Sequence, residues 1–247
     1  MGKSDPMEMT EHRPWPLPNS PWVMFQRWED LLFVHWPLPP SVLHGHVPDV
    51  LTLDTFDGSA WIAVTPFRIT GLRPRFLPPL PGLSNFPELN VRTYVTHNGK
   101  GGVFFFSLDA ASRMAVWAAR SFYRLPYRYA RMMSRKQNDQ IFYSCSRQER
   151  SAAEFHGRYR PIAPVRRRQK GTLEHWLTER YRLYTVTGGK IFHADIHHVP
   201  WPLQDANAEI ATNTMAAAAG IELPSTKPLL HFAERLDVFI WSLVQSS

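Results

Sequence analysis

Between residues 86 and 95, FPELNVRTYV, apolar or β-branched side chains fall on odd positions (Leu89, Val91, Thr93, Val95) and hydrogen-bonding ones on even positions (Glu88, Asn90, Arg92, Tyr94). A period of two marks a strand with unlike faces. Same-face neighbours lie about 7 Å apart along a strand, so this acid, amide, guanidinium and phenol are spaced to share one ligand. An outer strand with its polar face in solvent has the same pattern, and alternation alone does not choose between them. After a turn at 97–102, the run VFFFSLDA (103–110) is almost wholly apolar and predicts the buried partner of a hairpin. Asp109 then offers an N-cap to a helix over roughly 110–122, with Ala111, Met114, Ala115, Ala118 and Phe122 on one face and Arg120 near its end.

Similar rhythms recur along the chain. Residues 22–36, bracketed by Pro21 and Pro37, predict a strand, followed by a short helix at 41–47. Residues 51–67 predict a hairpin turned at Asp57-Gly58, and the Pro/Gly-rich stretch 68–85 an irregular flap. The segments 127–134, 139–149 and 152–162 alternate as three successive antiparallel strands, and 163–171 is an arginine-rich loop. Thr172 caps a helix to about Arg180, and 181–198 is a hairpin turned at Gly188-Gly189. The alanine-rich stretch 213–220 is a short helix stopped by Gly220, and 229–243 is a last strand. This gives about nine or ten antiparallel strands with a few short helices. The class is α+β, mainly antiparallel β, closed or half-closed as a barrel or cone. Pro14, Pro16 and Pro18 set 1–20 apart as an N-terminal arm, leaving 21–247 as a single domain.

Composition narrows the chemistry. At 247 residues and 44% hydrophobic, the chain is able to bury a large core. A single cysteine, Cys145, excludes an intramolecular disulfide and a Cys-rich metal site, and suits a small buried hydrophobe. Neither a signal-peptide run nor a membrane-length apolar segment is evident, so a cytoplasmic protein without a membrane partner is expected. Sixteen of the 28 Lys and Arg lie between 120 and 182, against five of the 21 acidic residues. Arg166, Arg167 and Arg168 with Lys170 form either a solvated loop or a patch for an anionic partner; with no recognition motif beside them, nucleic acid is not expected. Among eleven histidines, His44 and His46 diverge on a helix and His197 and His198 point to opposite faces of a strand. No metal is therefore expected, and without a phosphate loop or nucleophile elbow no other cofactor is either. His35 and His198 suit hydrogen-bonded structural roles beside a cavity.

Seven blocks in order, QRWEDLLFVHWPLPP, LDTFDGSAWIAVTPF, FPELNVRTYV, VFFFSLDA, ARSFYRLPYRYARM, HHVPWPLQ and NTMAAAAG, resemble the YqjF-like family (domain of unknown function 2071) from about residue 22 to 243. That family in turn is similar, at a distance, to acetoacetate decarboxylase, whose fold is an antiparallel β-barrel or cone around a polar cavity. Phe86-Pro87-Glu88 matches the decarboxylase strand carrying its active-site glutamate. Residues 119–128, ARSFYRLPYR, align on the segment ending in its lysine pair: Arg120 and Pro126 match, but the lysine positions hold Tyr127 and Arg128. Neither side chain is an amine able to form an imine near neutral pH, and the six lysines lie elsewhere, so Schiff-base decarboxylation is not implied. What the resemblance implies is a cavity with Glu88 and Tyr127 as candidate catalytic proton carriers and Asn90, Arg92, Tyr94, Arg120 and Arg128 as candidate ligand-binding groups. The ligand class is a small organic acid or carbonyl compound. Acid/base catalysis and non-catalytic binding or sensing both stay open, as does assembly into a homo-oligomer.

Overall fold

The computed structural model describes residues 5–80, 82–148 and 152–246. Its strands are β1 (Met24–Leu38), β2 (Thr52–Leu53), β3 (Ala60–Pro74), β4 (Phe86–His97), β5 (Lys100–Ala110), β6 (Tyr127–Tyr129), β7 (Arg131–Gln137), β8 (Gln140–Arg147), β9 (Ala153–Pro161), β10 (Arg182–Thr187), β11 (Lys190–His197), β12 (Gln204–Asn213), β13 (Leu229–Ile240) and β14 (Val244–Gln245). Short helices α1 (Pro40–His44), α2 (Arg113–Ala118) and α3 (Leu173–Thr178) flank them. β1 pairs with β3 and β13, β3 with β4, β4 with β5, β5 with β10, β10 with β11, and β11 again with β13. These pairings close on themselves. The result is a seven-stranded ring, antiparallel except where β5 meets β10, and a closed ring removes the edges an open sheet would expose.

A second sheet leaves the ring through β12, which pairs with β13, and continues as β9, β8 and β7. It lies against the outside of the ring. Leu32, Val34, Ile62, Val64, Leu89 and Val91 of the ring share one core with Ile141, Tyr143, Cys145, Phe155 and Tyr159 of the second sheet. Tyr143 ties the layers by donating to the backbone carbonyls of Glu88 (2.7 Å) and Phe67 (3.2 Å), and Tyr159 donates to that of Asp30 (2.8 Å). Each buried aliphatic side chain is worth about 1.5–3 kcal/mol. A one-residue slip of β4 would exchange Leu89 and Val91 for polar groups, so this outer core sets the strand's parity and turns Glu88, Asn90 and Arg92 inward.

Several predicted elements change. Asp109 is not a helix cap: it is a residue of β5, and its carboxylate accepts from Arg147 Nε (2.7 Å) and Nη2 (2.9 Å). Ser112 caps α2 instead, its side chain accepting from the Ala115 N–H, and the helix shortens to six residues before a π-turn at Ala119–Tyr123. Strand pairing carries β5 through Ala110, too far along to leave the cap to Asp109. The turn at Asp57-Gly58 is present, but its arms join only at Phe56 and Ser59; β2 pairs with β4. Of the segment 68–85, the first part extends β3 to Pro74. The 127–134 segment divides into β6, parallel to β5, and β7. β12 was not predicted, and by running to Asn213 it confines the alanine-rich segment to a 3-10 turn at Ala217–Ala219, closed by left-handed Gly220. From the N-terminal arm, Arg13 Nη1 donates to the Ile196 carbonyl (2.7 Å) and Trp15 Nε1 to Asp195 (3.1 Å), holding it along β11.

Candidate functional site

The ring encloses a cavity of about 710 Å³. Every ring strand lends it a side chain: Leu31 from β1, Phe67 from β3, Glu88 from β4, Phe105 from β5, Leu183 from β10, Ile196 from β11 and Ile240 from β13. The lining is mostly hydrocarbon rather than the polar cavity expected from the sequence, because β5, β10, β11 and β13 present only apolar side chains to it. Its charged groups lie on β4 and after α3, while Gln26, Ser84, Tyr123 and Ser242 add polar atoms elsewhere in the lining. β4 supplies Glu88, Asn90 and Arg92, and β3 supplies Thr65, directly opposite Asn90 in the register. The end of α3 brings Thr178 and Arg180, and the segment after β11 brings His198 and Trp201.

Glu88 is 3% exposed, and its Oε2 accepts a 2.8 Å hydrogen bond from the Tyr127 hydroxyl. β6 makes that contact possible: it docks in parallel beside β5, setting Tyr127 opposite Leu108 and within reach of β4. Burial pushes the Glu88 carboxyl up to about 8; the nearby Asp109 charge adds to the shift and the Tyr127 hydrogen bond opposes it. Near neutral pH this group is thus a largely protonated acid whose base form lies within easy reach, the property a proton carrier needs. Tyr127 itself is pushed well above its ordinary range, by burial first and by Glu88 second. Burial also lowers His198, which keeps its ring neutral at pH 7.

Arg92 is 7% exposed and forms no ion pair among the described residues; its guanidinium lies 5.2 Å from the centre of the Phe33 ring. Arg180 gives Nη1 to Asp54 (2.6 Å) and lies over the rings of Trp176 and Tyr94. Thr65 Oγ1, Asn90 Oδ1, Arg92 Nε, Arg180 Nη2 and Trp201 Nε1 are all buried without a hydrogen-bond partner. An unpaired buried polar group costs about 1–3 kcal/mol, more when charged. Thr65 Oγ1, the two guanidinium nitrogens and the Trp201 indole N–H can donate while Asn90 Oδ1 only accepts, so the set suits a ligand that brings oxygen acceptors together with a donor.

Not every residue singled out from the sequence meets at this place. Tyr94 is fully buried beside the cavity, its hydroxyl 2.6 Å from His35 Nε2, and is not part of the lining. Arg120 is exposed and donates through Nε to the Tyr127 carbonyl (2.7 Å), so it supports the Tyr127 backbone from outside. Arg128 is exposed, because β6 alternates and turns it away from Tyr127. Thr65, Thr178, Arg180 and Trp201 were not anticipated. Parity along β3 is a signal that finds Thr65, since it shares a face with Phe67 and Ile69; Arg180 has none, being delivered by a loop. Lys100, Lys136, Lys170, Lys190 and Lys227 are all exposed. Among the described residues no group of three or more His, Cys, Asp or Glu is placed to hold a metal ion, and no helix is long and apolar enough to cross a membrane. In the arginine-rich loop, Arg168 is paired with Asp205 (2.6 Å), while Arg166 and Arg167 are exposed.

Two solved structures share this fold. Acetoacetate decarboxylase from Legionella pneumophila superposes with a TM-score of 0.64 at 12% identity, covering 95% of this chain and 92% of that one. The enduracididine biosynthesis enzyme MppR, solved complexed with pyruvate, gives 0.63 at 9% identity over 92% and 91%. At such identities the likeness is one of fold. In sequence, the uncharacterized protein YqjF of Bacillus subtilis (strain 168) is 52% identical over 227 residues, 92% of this chain and 94% of that protein. The family DUF2071, described as an uncharacterized conserved protein, matches residues 25–237. The chain therefore belongs to the DUF2071, or YqjF-like, family and is built on the acetoacetate decarboxylase-like fold.

Proposed function

We propose that the ring binds a small carboxylic acid or carbonyl compound and moves a proton on it, with Glu88 as the acid/base group, Tyr127 as its hydrogen-bonding partner and Arg92 as the anchor for negative charge. The observation that carries this is the coexistence, in one cavity, of a carboxyl raised to about 8 and a buried guanidinium with no ion-pair partner among the described residues. A guanidinium fixes a carboxylate or enolate oxygen through charge-assisted hydrogen bonds, and Glu88 elsewhere in the same cavity gives a proton in its neutral form and takes one in its minor ionised form. With every described lysine exposed, the chemistry is not routed through an imine. MppR, of the same fold, was solved complexed with pyruvate, which makes a 2-oxo acid a suitable first probe. Asn90 and Thr65 complete the polar end as hydrogen-bonding groups; Tyr94 acts on Arg92 from behind, and Arg120 and Arg128 have no part in it.

The largely hydrocarbon lining favours a second reading, a non-catalytic metabolite-binding or sensing protein. Exchange of carbon-bound protons separates the two. Purified protein is incubated in D2O with a panel of 2-oxo and 3-oxo acids and followed by proton NMR. Acid/base function predicts enzyme-dependent loss of the signal next to the carbonyl, abolished in Glu88→Gln; ligand-induced stabilisation without exchange or product would leave only binding.

A further inference from the structure

The charged groups of the cavity are gathered at one end, and the other end is mostly hydrocarbon. β3 runs along it and contributes Thr65, Phe67, Ile69, Leu72 and Pro74 in turn, a path of about 30 Å at the rise of a strand. Around Thr65 stand Asn90, Arg92 and Arg180 with their unpartnered atoms. Toward Pro74 the wall is mostly hydrocarbon, with Leu72, Phe86 and Ala118, and its polar members Gln26, Ser84 and Ser242 carry no charge. Met114 and Phe122 line the cavity while remaining 57% and 66% exposed, which marks that end as the mouth.

Glu88 lies between the two ends. It stands four residues from Arg92 on the same face of β4, which separates their Cα atoms by about 13 Å. The Arg92 guanidinium packs over Phe33, and its charge is felt by His35, Tyr94 and Arg180; of these Arg180 also lines the cavity. An acid of two or three carbons seated there leaves the apolar half of the cavity unused. Hydrocarbon in that half is favourable at about 0.8 kcal/mol per methylene.

We infer that the ligand is an elongated amphipathic carboxylic acid, its carboxylate on Arg92 and Arg180 and its apolar chain running past Glu88 and Tyr127 toward Met114 and Phe122. This rests on the proposal above that the cavity takes a carboxylic acid, and adds the length and polarity of the molecule. The position of Glu88 then assigns its proton transfer to a carbon within the chain, several bonds from the carboxylate.

Isothermal titration calorimetry with acetate, butanoate, hexanoate, octanoate and decanoate tests the inference on the unmodified protein. Affinity should rise about three- to fourfold per methylene until the chain reaches the mouth. Decanoate should exceed decanol by at least tenfold, and Arg92→Leu should erase that preference while still binding decanol. Ala118→Trp, which narrows the apolar end, should weaken decanoate at least tenfold and leave acetate unchanged. A flat series in which acetate binds as well as decanoate, with acetate binding lost in Arg92→Leu, overturns the amphipathic ligand but keeps the carboxylate site. Failure of every acid to bind, or decanol binding as tightly as decanoate, overturns both.

Discussion

The Tyr127 hydroxyl donates to Oε2 of Glu88 across 2.8 Å, joining two buried side chains 39 residues apart in the sequence. They meet because β6 docks beside the end of β5, and β5 is already paired to β4. Removing the hydroxyl takes away an interaction that lowers the Glu88 carboxyl. Tyr127→Phe should therefore move the Glu88 titration above about 8 and cost about 1–2 kcal/mol of stability. Carbon-detected NMR titration of the Glu88 side chain checks the first effect, urea denaturation the second. A titration point that falls would show that the hydroxyl does not stabilise the charged form.

Glu88 should also govern the pH dependence of folding. Its carboxyl sits at about 8 in the folded chain against an ordinary 4.5. Below about 4.5 both states carry the proton and its stabilising contribution is complete. As pH rises toward 8 the unfolded chain gives the proton up first, and stability falls by on the order of a few kcal/mol. His193 and His197, lowered to about 4, act in the opposite sense up to about 6.5. Between pH 6.5 and 8 the wild-type protein should lose stability that Glu88→Gln keeps, as read by chemical denaturation at several pH values.

Arg92 is a buried cation with no ion-pair partner among the described residues, and the proposal makes it the anchor of the ligand. Arg92→Leu should leave the free protein as stable or more stable, by on the order of 1 kcal/mol, while abolishing stabilisation by carboxylic acids. Thermal denaturation with and without a saturating acid measures both. Wild-type-like ligand stabilisation in the variant would remove Arg92 from the site.

The pair of Arg147 and Asp109 ties the second sheet to the ring at 4% and 0% side-chain exposure. Replacing one partner leaves the other charge buried alone, so Arg147→Met and Asp109→Asn should each cost about 3–5 kcal/mol, and the double variant less than their sum. Equilibrium denaturation of the three variants completes the cycle.

Gly102 marks where the ring closes in parallel. A Cβ there would lie 2.7 Å from the Arg182 carbonyl oxygen and from the Tyr184 ring. Gly102→Ala should destabilise by about 1–3 kcal/mol, with amide exchange accelerating first in β10.

Alternation along β4 carried its own parity. Leu89 and Val91 need hydrocarbon, so Glu88, Asn90 and Arg92 must share the other face, and this followed from side-chain type alone. The same local logic placed β1, the β10–β11 hairpin, the Thr172 cap and the last strand, each specified by neighbours a few residues apart. Pairings between distant segments decided the rest. Asp109 had the composition of a cap, but Arg147 from another sheet holds it in a strand; β12 has weak alternation and exists through its partners β9 and β13. Whether the polar face of β4 met water or a cavity depended on β11 finding β13, a contact no local pattern encodes. Closure of the ring set Glu88 beside Tyr127 and left Arg120 and Arg128 outside, because enclosure belongs to the whole set of strands and not to any one of them.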